Sequence, residues 1–208
     1  MGAGCRVQGA AGTISLMPDA LRQDLQRLLD DVDAIDAAVG TLSSQVSDTQ
    51  FFWQPHEGRA WSIAQCLEHL AMSNKVYGAA IREGIERARA RGLTGGGAIY
   101  SNVLGRKFIT SLEPPVVRRM RNPRKSTPPG SSDRGEILRS FAEGHDLVRE
   151  LIRSAAAIDV NRAVFKNPFL PLVRVRVGTG LRIISAHDRR HIWQAENVRK
   201  APGFPSGR

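Results

Sequence analysis

The chain has no apolar run long enough to cross a membrane and has only two cysteines, Cys5 and Cys66. A membrane-spanning helix needs about 20 consecutive apolar residues, so an integral membrane protein is excluded. Two such cysteines form no disulfide framework, and the first residues contain no apolar segment of the kind that directs secretion. We therefore expect a protein of the reducing cytoplasm. Aromatic residues make up only 6% of the chain, which argues against a stacking surface for single-stranded nucleic acid.

Positive charge is abundant but unevenly placed. The 208 residues include 30 Lys and Arg against 20 Asp and Glu, which gives a formal net charge of +10. Residues 92–132 hold seven basic residues and one acidic residue, and residues 160–208 hold ten and two. Such segments attract anions, whether nucleic acid, lipid headgroups or a small acidic substrate. Charge by itself does not distinguish these partners.

Apolar residues recur at three- and four-residue steps in four segments, as expected for amphipathic helices. Ser62 with Gln65, and Asp133 with Glu136, form capping patterns that favour helix starts. The four segments run from Pro18 to about 42, from 62 to about 91, from 133 to before 158, and from about 179 to 200.

The spacing of these segments predicts an all-α protein, a four-helix bundle in up-down-down-up order. A long crossover insertion between the second and third helices, with a proline-rich basic part at 98–132, lets these two helices run parallel. The connector at 158–178 contains VRVRV, which is either a short strand or extended chain. We expect a single domain over 17–200, with flexible tails at 1–16 and 201–208.

Three histidines have the spacing of a shared metal site. His187 and His191 lie four residues apart, so their rings share one face of the last helix, about 6 Å apart along its axis. That pair alone is a weak signal and fits one core and one surface histidine better than a metal site. His69, on the second helix, comes to a similar depth if the two helices run antiparallel. Three neutral imidazoles with an open position are typical of a catalytic divalent metal.

Other residues near these histidines are weaker candidates for catalysis. His145, on the inward face of the third helix, could be a further ligand or an acid–base group, or a hydrogen-bonded core histidine. Glu68 could be a general base, although it points about 100° away from its neighbour His69 and fits a solvated face. Cys66 could be a fourth ligand but fits a small buried residue better. His56 could line the mouth of the site or lie in a solvated loop.

Two residues of the last helix could orient the ligating rings. Asp188 and Gln194 could each accept a ring N–H from a histidine, the usual outer arrangement around a metal. Asp188 is equally compatible with a surface position beside Arg189 or Arg190. The sequence leaves both possibilities for Asp188 open.

Segments near both ends of the helical region resemble one known family. They are WQP at 53–55, GRAWSIAQCLEHL at 58–70 and SAHDRRHIWQ at 185–194. Together, W-S-I-x-Q-x-x-x-H-L followed by H-x-x-x-H-x-x-Q resembles the DinB/YfiT-like superfamily of four-helix-bundle metalloenzymes. The resemblance implies the up-down-down-up bundle, a homodimer, and a zinc or nickel site made by His69, His187 and His191. It also implies chemistry, since relatives include transferases and isomerases that use low-molecular-weight thiols, and others are described as metal-dependent hydrolases.

A basic run precedes the third helix and departs from the plain family pattern. It could bind the carboxylates or phosphates of an anionic substrate, or follow a nucleic-acid backbone, or be an exposed basic loop. Its members are Arg118, Arg119, Arg121, Arg124 and Lys125.

The sequence favours a metal-dependent enzyme. A bound divalent ion would activate a thiol or a water molecule, for transfer to a small anionic substrate or for hydrolysis. A basic mouth suits an acidic thiol such as glutathione, bacillithiol or mycothiol. The alternative is a non-enzymatic basic protein that binds nucleic acid or another acidic partner and retains only a vestige of the metal site.

Overall fold

The computed structural model describes residues 18–116, 127–128, 130–170 and 172–206. Within these residues the chain is predominantly helical, with six helices and two short strands. The elements are α1 (Asp19–Ser44), α2 (Asp48–Phe52), α3 (Ile63–Ala90), α4 (Val103–Leu112), α5 (Arg134–Ala155), β1 (Val164–Lys166), β2 (Arg174–Arg176) and α6 (Val177–Val198). The prediction of a helical protein is confirmed. The tail predicted at 1–16 lies outside the described residues.

The helices begin where side chains satisfy free backbone N–H groups. Ser62 Oγ accepts from the backbone N–H of Gln65, and Gln65 Oε1 accepts from that of Ser62, both at 3.1 Å, which confirms the predicted capping box. Asp133 accepts from the backbone N–H of Glu136 at 2.9 Å. A further capping box, at Ser47 and Gln50, starts α2 between the first two predicted helical segments. Five helical residues are too few for apolar periodicity to reveal.

Pairs of contacts give the relative directions of the long helices. α3 and α5 run in the same direction, because the ion pairs between them advance together along both helices (Lys75–Glu143, then Arg82–Glu150). α3 and α6 run in opposite directions. Trp61, just before α3, contacts His191 near the end of α6, whereas Gly84 near the end of α3 contacts Val177 at the start of α6. The start of α3 therefore lies beside the end of α6.

Two adjoining apolar clusters fill the interior. One lies toward the start of α6 and includes Ile81, Phe165 and Leu181. The other lies toward the start of α3 and includes Leu67 and Ile192. The two clusters meet in the middle of the α3–α6 contact, where polar side chains replace apolar ones.

The connectors on either side of the long helices carry their own structure. The predicted VRVRV strand forms β2, which pairs antiparallel with β1 (Val164↔Arg176, Phe165↔Val175, Lys166↔Arg174). α6 starts directly after this hairpin, two residues earlier than expected. α4 forms in the first part of the insertion, with Asn102 accepting from the Gly105 backbone N–H. In the segment predicted as a C-terminal tail, the Phe204 ring packs on Trp53 at 5.6 Å.

No helix within the described ranges combines the length and the apolar character that crossing a bilayer requires.

Candidate metal centre

Three histidines from two helices converge where the apolar clusters meet. His69 lies on α3, and His187 and His191 lie one turn apart on α6. Because α3 and α6 run antiparallel, His69 reaches the depth of the α6 pair. His69 and His191 are buried, whereas His187 is partly exposed. The group is thus closed on most sides and open at His187.

The ring nitrogens are close enough to share one ion. Nε2 of His69 and Nε2 of His187 are 3.2 Å apart. The His191 ring centroid lies 4.5 Å from that of His69 and 4.6 Å from that of His187, and one nitrogen of each ring lies within 4.8 Å of the others. Two nitrogens bound at about 2.0–2.1 Å to a tetrahedral ion are about 3.3 Å apart. The three histidines therefore could hold a metal ion.

The surroundings of His191 favour the neutral ring that metal binding requires. Burial holds the pKa of His191 well below its ordinary value, and the nearby charges of His187, His69 and Arg190 lower it further. A hydrogen bond with the Gln194 side chain acts in the opposite direction and is outweighed. His191 thus keeps a lone pair available at neutral pH, and the role of Gln194 as an acceptor from a ligating ring stays a prediction.

Trp61 and Ser73 enclose the cluster from the α3 side. The Trp61 ring lies 4.9 Å from the His69 ring and stacks on the His191 ring at 5.7 Å. Ser73 Oγ, one turn beyond His69 on α3, lies 3.4 Å from His69 Nε2. An aromatic wall of this kind excludes water and fixes both ring planes.

Asp188 lies behind His187 and is fully buried, at 0% exposure. Its Oδ1 is 3.8 Å from His187 Nδ1, and its Oδ2 accepts from Asn74 Nδ2 at 3.1 Å. Burial alone would raise the pKa of Asp188, but the adjacent His145 and His187 rings lower it below its ordinary value. A carboxylate facing the outer ring nitrogen fixes the orientation of a ligating imidazole. Asp188 lies next to His187 on this side, at 3.8 Å, which is longer than a hydrogen bond.

His145 lies outside the cluster and is held between two carboxylates. Its Nδ1 is 2.6 Å from Asp36 Oδ1 on α1, and its Nε2 is 3.3 Å from Asp188 Oδ2. Burial lowers the pKa of His145, but the two carboxylates outweigh it and raise that pKa to about 9. The structure therefore places His145 as a charged partner of Asp188 and not beside the three ring nitrogens.

Glu68 and Cys66 point away from the cluster. The carboxylate of Glu68 accepts the backbone N–H groups of Gly130 and Ser131 at 2.9 and 3.0 Å, which anchors the segment before α5. Cys66 is wholly buried in the apolar cluster at the start of α3, and burial raises the pKa of its thiol. The structure brings neither residue to the three histidines.

The arginines after Asp188 bind elsewhere, so the surface alternative for Asp188 is wrong. Arg189 pairs with Asp31 of α1 and with Glu113 after α4, each at 2.6 Å. Arg190 is buried and donates to the Ser111 carbonyl at the end of α4 at 3.2 Å. These contacts hold the end of α4 against α6.

A cavity of about 970 Å³ opens beside the cluster. All three histidines line it, and so does His56 from the loop before α3. Other walls come from α4, from the loop of the β-hairpin and from α6. The basic run Arg118, Arg119, Arg121, Arg124 and Lys125, proposed as an anion-binding segment, falls outside the described residues.

Several residues around the cluster were not predicted from the sequence. Ser73 follows His69 by four residues, about one helical turn, and that spacing was a signal that could have found it, whereas Asn74, five residues after His69, lacks that spacing. Asp36 and Phe108 carried no such signal, because they come from α1 and α4, and only tertiary packing brings these helices to the site. The sequence indicates which face of a helix a residue lies on, but it does not indicate which other helices pack against that face.

The helical fold and the three-histidine group, buried except at His187, define a class of small helical proteins with a possible metal site. A family model described as the DinB superfamily matches residues 18–195. The chain belongs to the DinB superfamily, as the motifs predicted. No curated protein matches the chain significantly, and no solved structure does so either.

Proposed function

We propose that the protein is a divalent-metal-dependent enzyme whose ion is held by His69, His187 and His191. One observation carries the proposal: the 3.2 Å separation of the His69 and His187 Nε2 atoms beside a cavity of about 970 Å³. In a structural metal site protein ligands fill every coordination position, so no adjoining cavity is required. A catalytic site keeps one coordination position open for water or substrate. The partly exposed His187 edge supplies that opening.

The chain's own residues would prepare this site for chemistry. A bound zinc or nickel ion lowers the pKa of a coordinated water or thiol and so supplies a strong nucleophile near neutral pH. Asp188 would hold the proton on His187 Nδ1, so that Nε2 keeps its lone pair for the ion. Trp61 would keep bulk water from the face of the His69 and His191 rings.

We favour transfer of a low-molecular-weight thiol over hydrolysis. The reason is the resemblance to thiol-dependent members of the superfamily, and both reactions would use the same nucleophile position. A thiolate would attack an electrophilic carbon of a small anionic substrate and form a C–S bond, while the leaving group departs with the electron pair of its bond to that carbon. A hydroxide would form a C–O bond at the same carbon and expel the same leaving group. The measurement that separates the two is whether turnover requires added thiol.

The proposal extends to the organisation of the whole protein. The parallel contacts of α3 with α5 and the antiparallel contacts of α3 with α6 support an up-down-down-up bundle. A homodimer and a cytoplasmic location remain predictions of the sequence. The alternative, a binding protein for nucleic acid, depends on the basic run at 118–125, and the described residues add nothing that favours it.

Metal analysis of the purified, untagged chain tests the proposal. After exposure to zinc or nickel and removal of free metal, we expect about one ion per chain by elemental mass spectrometry. His187→Ala should lower the affinity for the ion by at least 100-fold by competition with a chromophoric chelator, because two nitrogens replace three. His56→Ala is the matched control, since it removes a histidine outside the cluster. A wild-type chain that takes up neither metal, or a His56→Ala loss equal to that of His187→Ala, would refute the proposal.

A further inference from the structure

The cavity beside the histidines has one half that is almost entirely apolar. This half lies on the hairpin side of the cluster and is continuous with the middle of α6. Tyr77 stands two turns of α3, about 12 Å, from His69, and its ring stacks on Phe169 of the hairpin at 6.2 Å with an interplanar angle of 9°. We call these residues the apolar half: Tyr77, Phe108, Phe169, Leu170, Ile183 and Ile184.

The charge on the cavity wall has one sign. Arg59 and Arg190 line the cavity, and no aspartate or glutamate is among its described wall residues. Arg190 is adjacent to His191 in the chain, one turn after His187, and only 8% exposed. A guanidinium in such a position is less screened by water than one on the surface, and its planar fork suits a carboxylate or phosphate. The positive charge thus lies next to the histidines, where the apolar half ends.

We propose that this cavity binds an amphipathic acid, with an apolar chain in the apolar half and an anionic group at Arg190 beside the histidines. The apolar chain would leave water for a wall of aromatic and aliphatic side chains, which stabilises binding in proportion to its length. The anionic group would lie beside Arg190 and the three histidines, near the proposed metal position. A cationic ligand of the same shape would be repelled. The inference rests on the proposed function for the role of this acid as substrate, whereas its binding can be measured alone.

The first test uses the unmodified full chain, with and without zinc, and a series of simple probes below their critical micelle concentrations. The probes are hexanoate, octanoate, decanoate, decanol and decyltrimethylammonium. Binding is followed by calorimetry and by the fluorescence of Trp61 and Trp193, which both line the cavity. We expect decanoate to bind at one site, at least tenfold more tightly than decanol or decyltrimethylammonium. Each added methylene from hexanoate to decanoate should tighten binding by about fourfold.

Two variants locate the site. Arg190→Gln should weaken decanoate about tenfold and leave decanol unchanged, because only the anion needs the guanidinium. Arg199→Gln is the matched control: it removes the same charge from the end of the same helix, where Arg199 contacts Gln45 outside the cavity. Because Arg190 also binds the Ser111 carbonyl and its loss could unfold the chain, Ile183→Trp is the second variant. By filling the apolar half it should weaken decanoate and decanol alike, at least tenfold.

Several results would overturn the inference. They are no saturable binding of decanoate, equal binding of decanol and decanoate, no gain with chain length, or an Arg199→Gln loss as large as that of Arg190→Gln. Failure of the proposed function gives a different result. A chain that binds decanoate but no zinc would refute the metal enzyme and retain the acid-binding cavity. A chain that binds zinc but no decanoate would refute only the amphipathic acid.

Discussion

The contact between α3 and α6 has two halves of opposite character. On the hairpin side, Gly84 and Gly180 let the helices approach Phe165 closely, and a Cβ added at Gly180 would lie 2.5 Å from Phe165 Cε1. On the histidine side, the same two helices bury polar groups, chiefly His69, Asp188 and His191, beside a cavity. One pair of helices therefore provides close apolar packing at one end and a solvent-restricted polar site at the other.

The comparison shows how a buried polar site is tolerated in a small helical protein. Burying a charged or polar group costs free energy unless it is paired. Here the pairing continues away from the site, from Asp188 to His145 and on to Asp36, whose side chain reaches partial exposure. The stability of the histidine side thus depends on pairs of charged side chains, whereas that of the hairpin side depends on close packing of apolar side chains.

Removal of Asp188 should have the largest effect on stability. Asp188→Ala leaves the charged His145 with one carboxylate fewer in the interior, so we expect a loss of about 3–5 kcal/mol in the free energy of unfolding. Asp146→Ala is the control, because Asp146 pairs with Arg149 at the surface and should contribute less than about 1 kcal/mol. Urea unfolding of the metal-free variants measures both. Equal losses would contradict the assignment of the buried pair.

The histidine side should also lose stability at alkaline pH. The pKa of His145 is raised from 6.5 to about 9, so the protonated ring stabilises the folded chain. This contribution is complete below pH 6.5 and is lost as the pH rises through about 9. The advantage of the wild type over His145→Gln in metal-free urea unfolding should therefore shrink, by up to about 3 kcal/mol, between pH 6 and pH 9.5. An advantage that grows with pH would contradict the pairing.

On the hairpin side a single methyl group should be costly. Gly180→Ala places a Cβ against Phe165 and Ile81, and we expect overpacking to cost about 1–3 kcal/mol without changing the number of ions bound per folded chain. Gly40→Ala, in α1 with no atom within 4 Å of the added Cβ, should instead stabilise by about 0.5–1 kcal/mol. Thermal unfolding of the two variants gives the comparison. An unchanged stability in Gly180→Ala would mean that close packing against Phe165 does not stabilise this half.

The smallest effect is expected at the border of the two halves. The Tyr77 hydroxyl is buried and makes no hydrogen bond to any residue within the described ranges. Tyr77→Phe should therefore leave the free energy of unfolding within about 1 kcal/mol of the wild type, or raise it. Urea unfolding decides the matter, and a clear loss of stability would show that the hydroxyl has a partner. In that case Tyr77 would belong to the polar half of the contact and not to the apolar half.

Much of this arrangement could be predicted from local pattern. The four long helices follow from apolar periodicity, and the start of α3 follows from Ser62 and Gln65. The shared depth of His69, His187 and His191 follows from helical rise and an antiparallel pair. The inward face of the third helix favoured a core position for His145, but the groups that pair with this ring could not be predicted. Its partners Asp36 and Asp188 lie on two other helices.

The sequence by itself determined the helices, their caps and the spacing of three imidazoles, because these depend on neighbours within about four residues. Tertiary structure decided which charges are buried together, which arginine faces the cavity and which half of the α3–α6 contact is apolar. The physical reason is range: backbone hydrogen bonds and caps are local, whereas burial and the pairing it requires depend on residues brought together from distant parts of the chain.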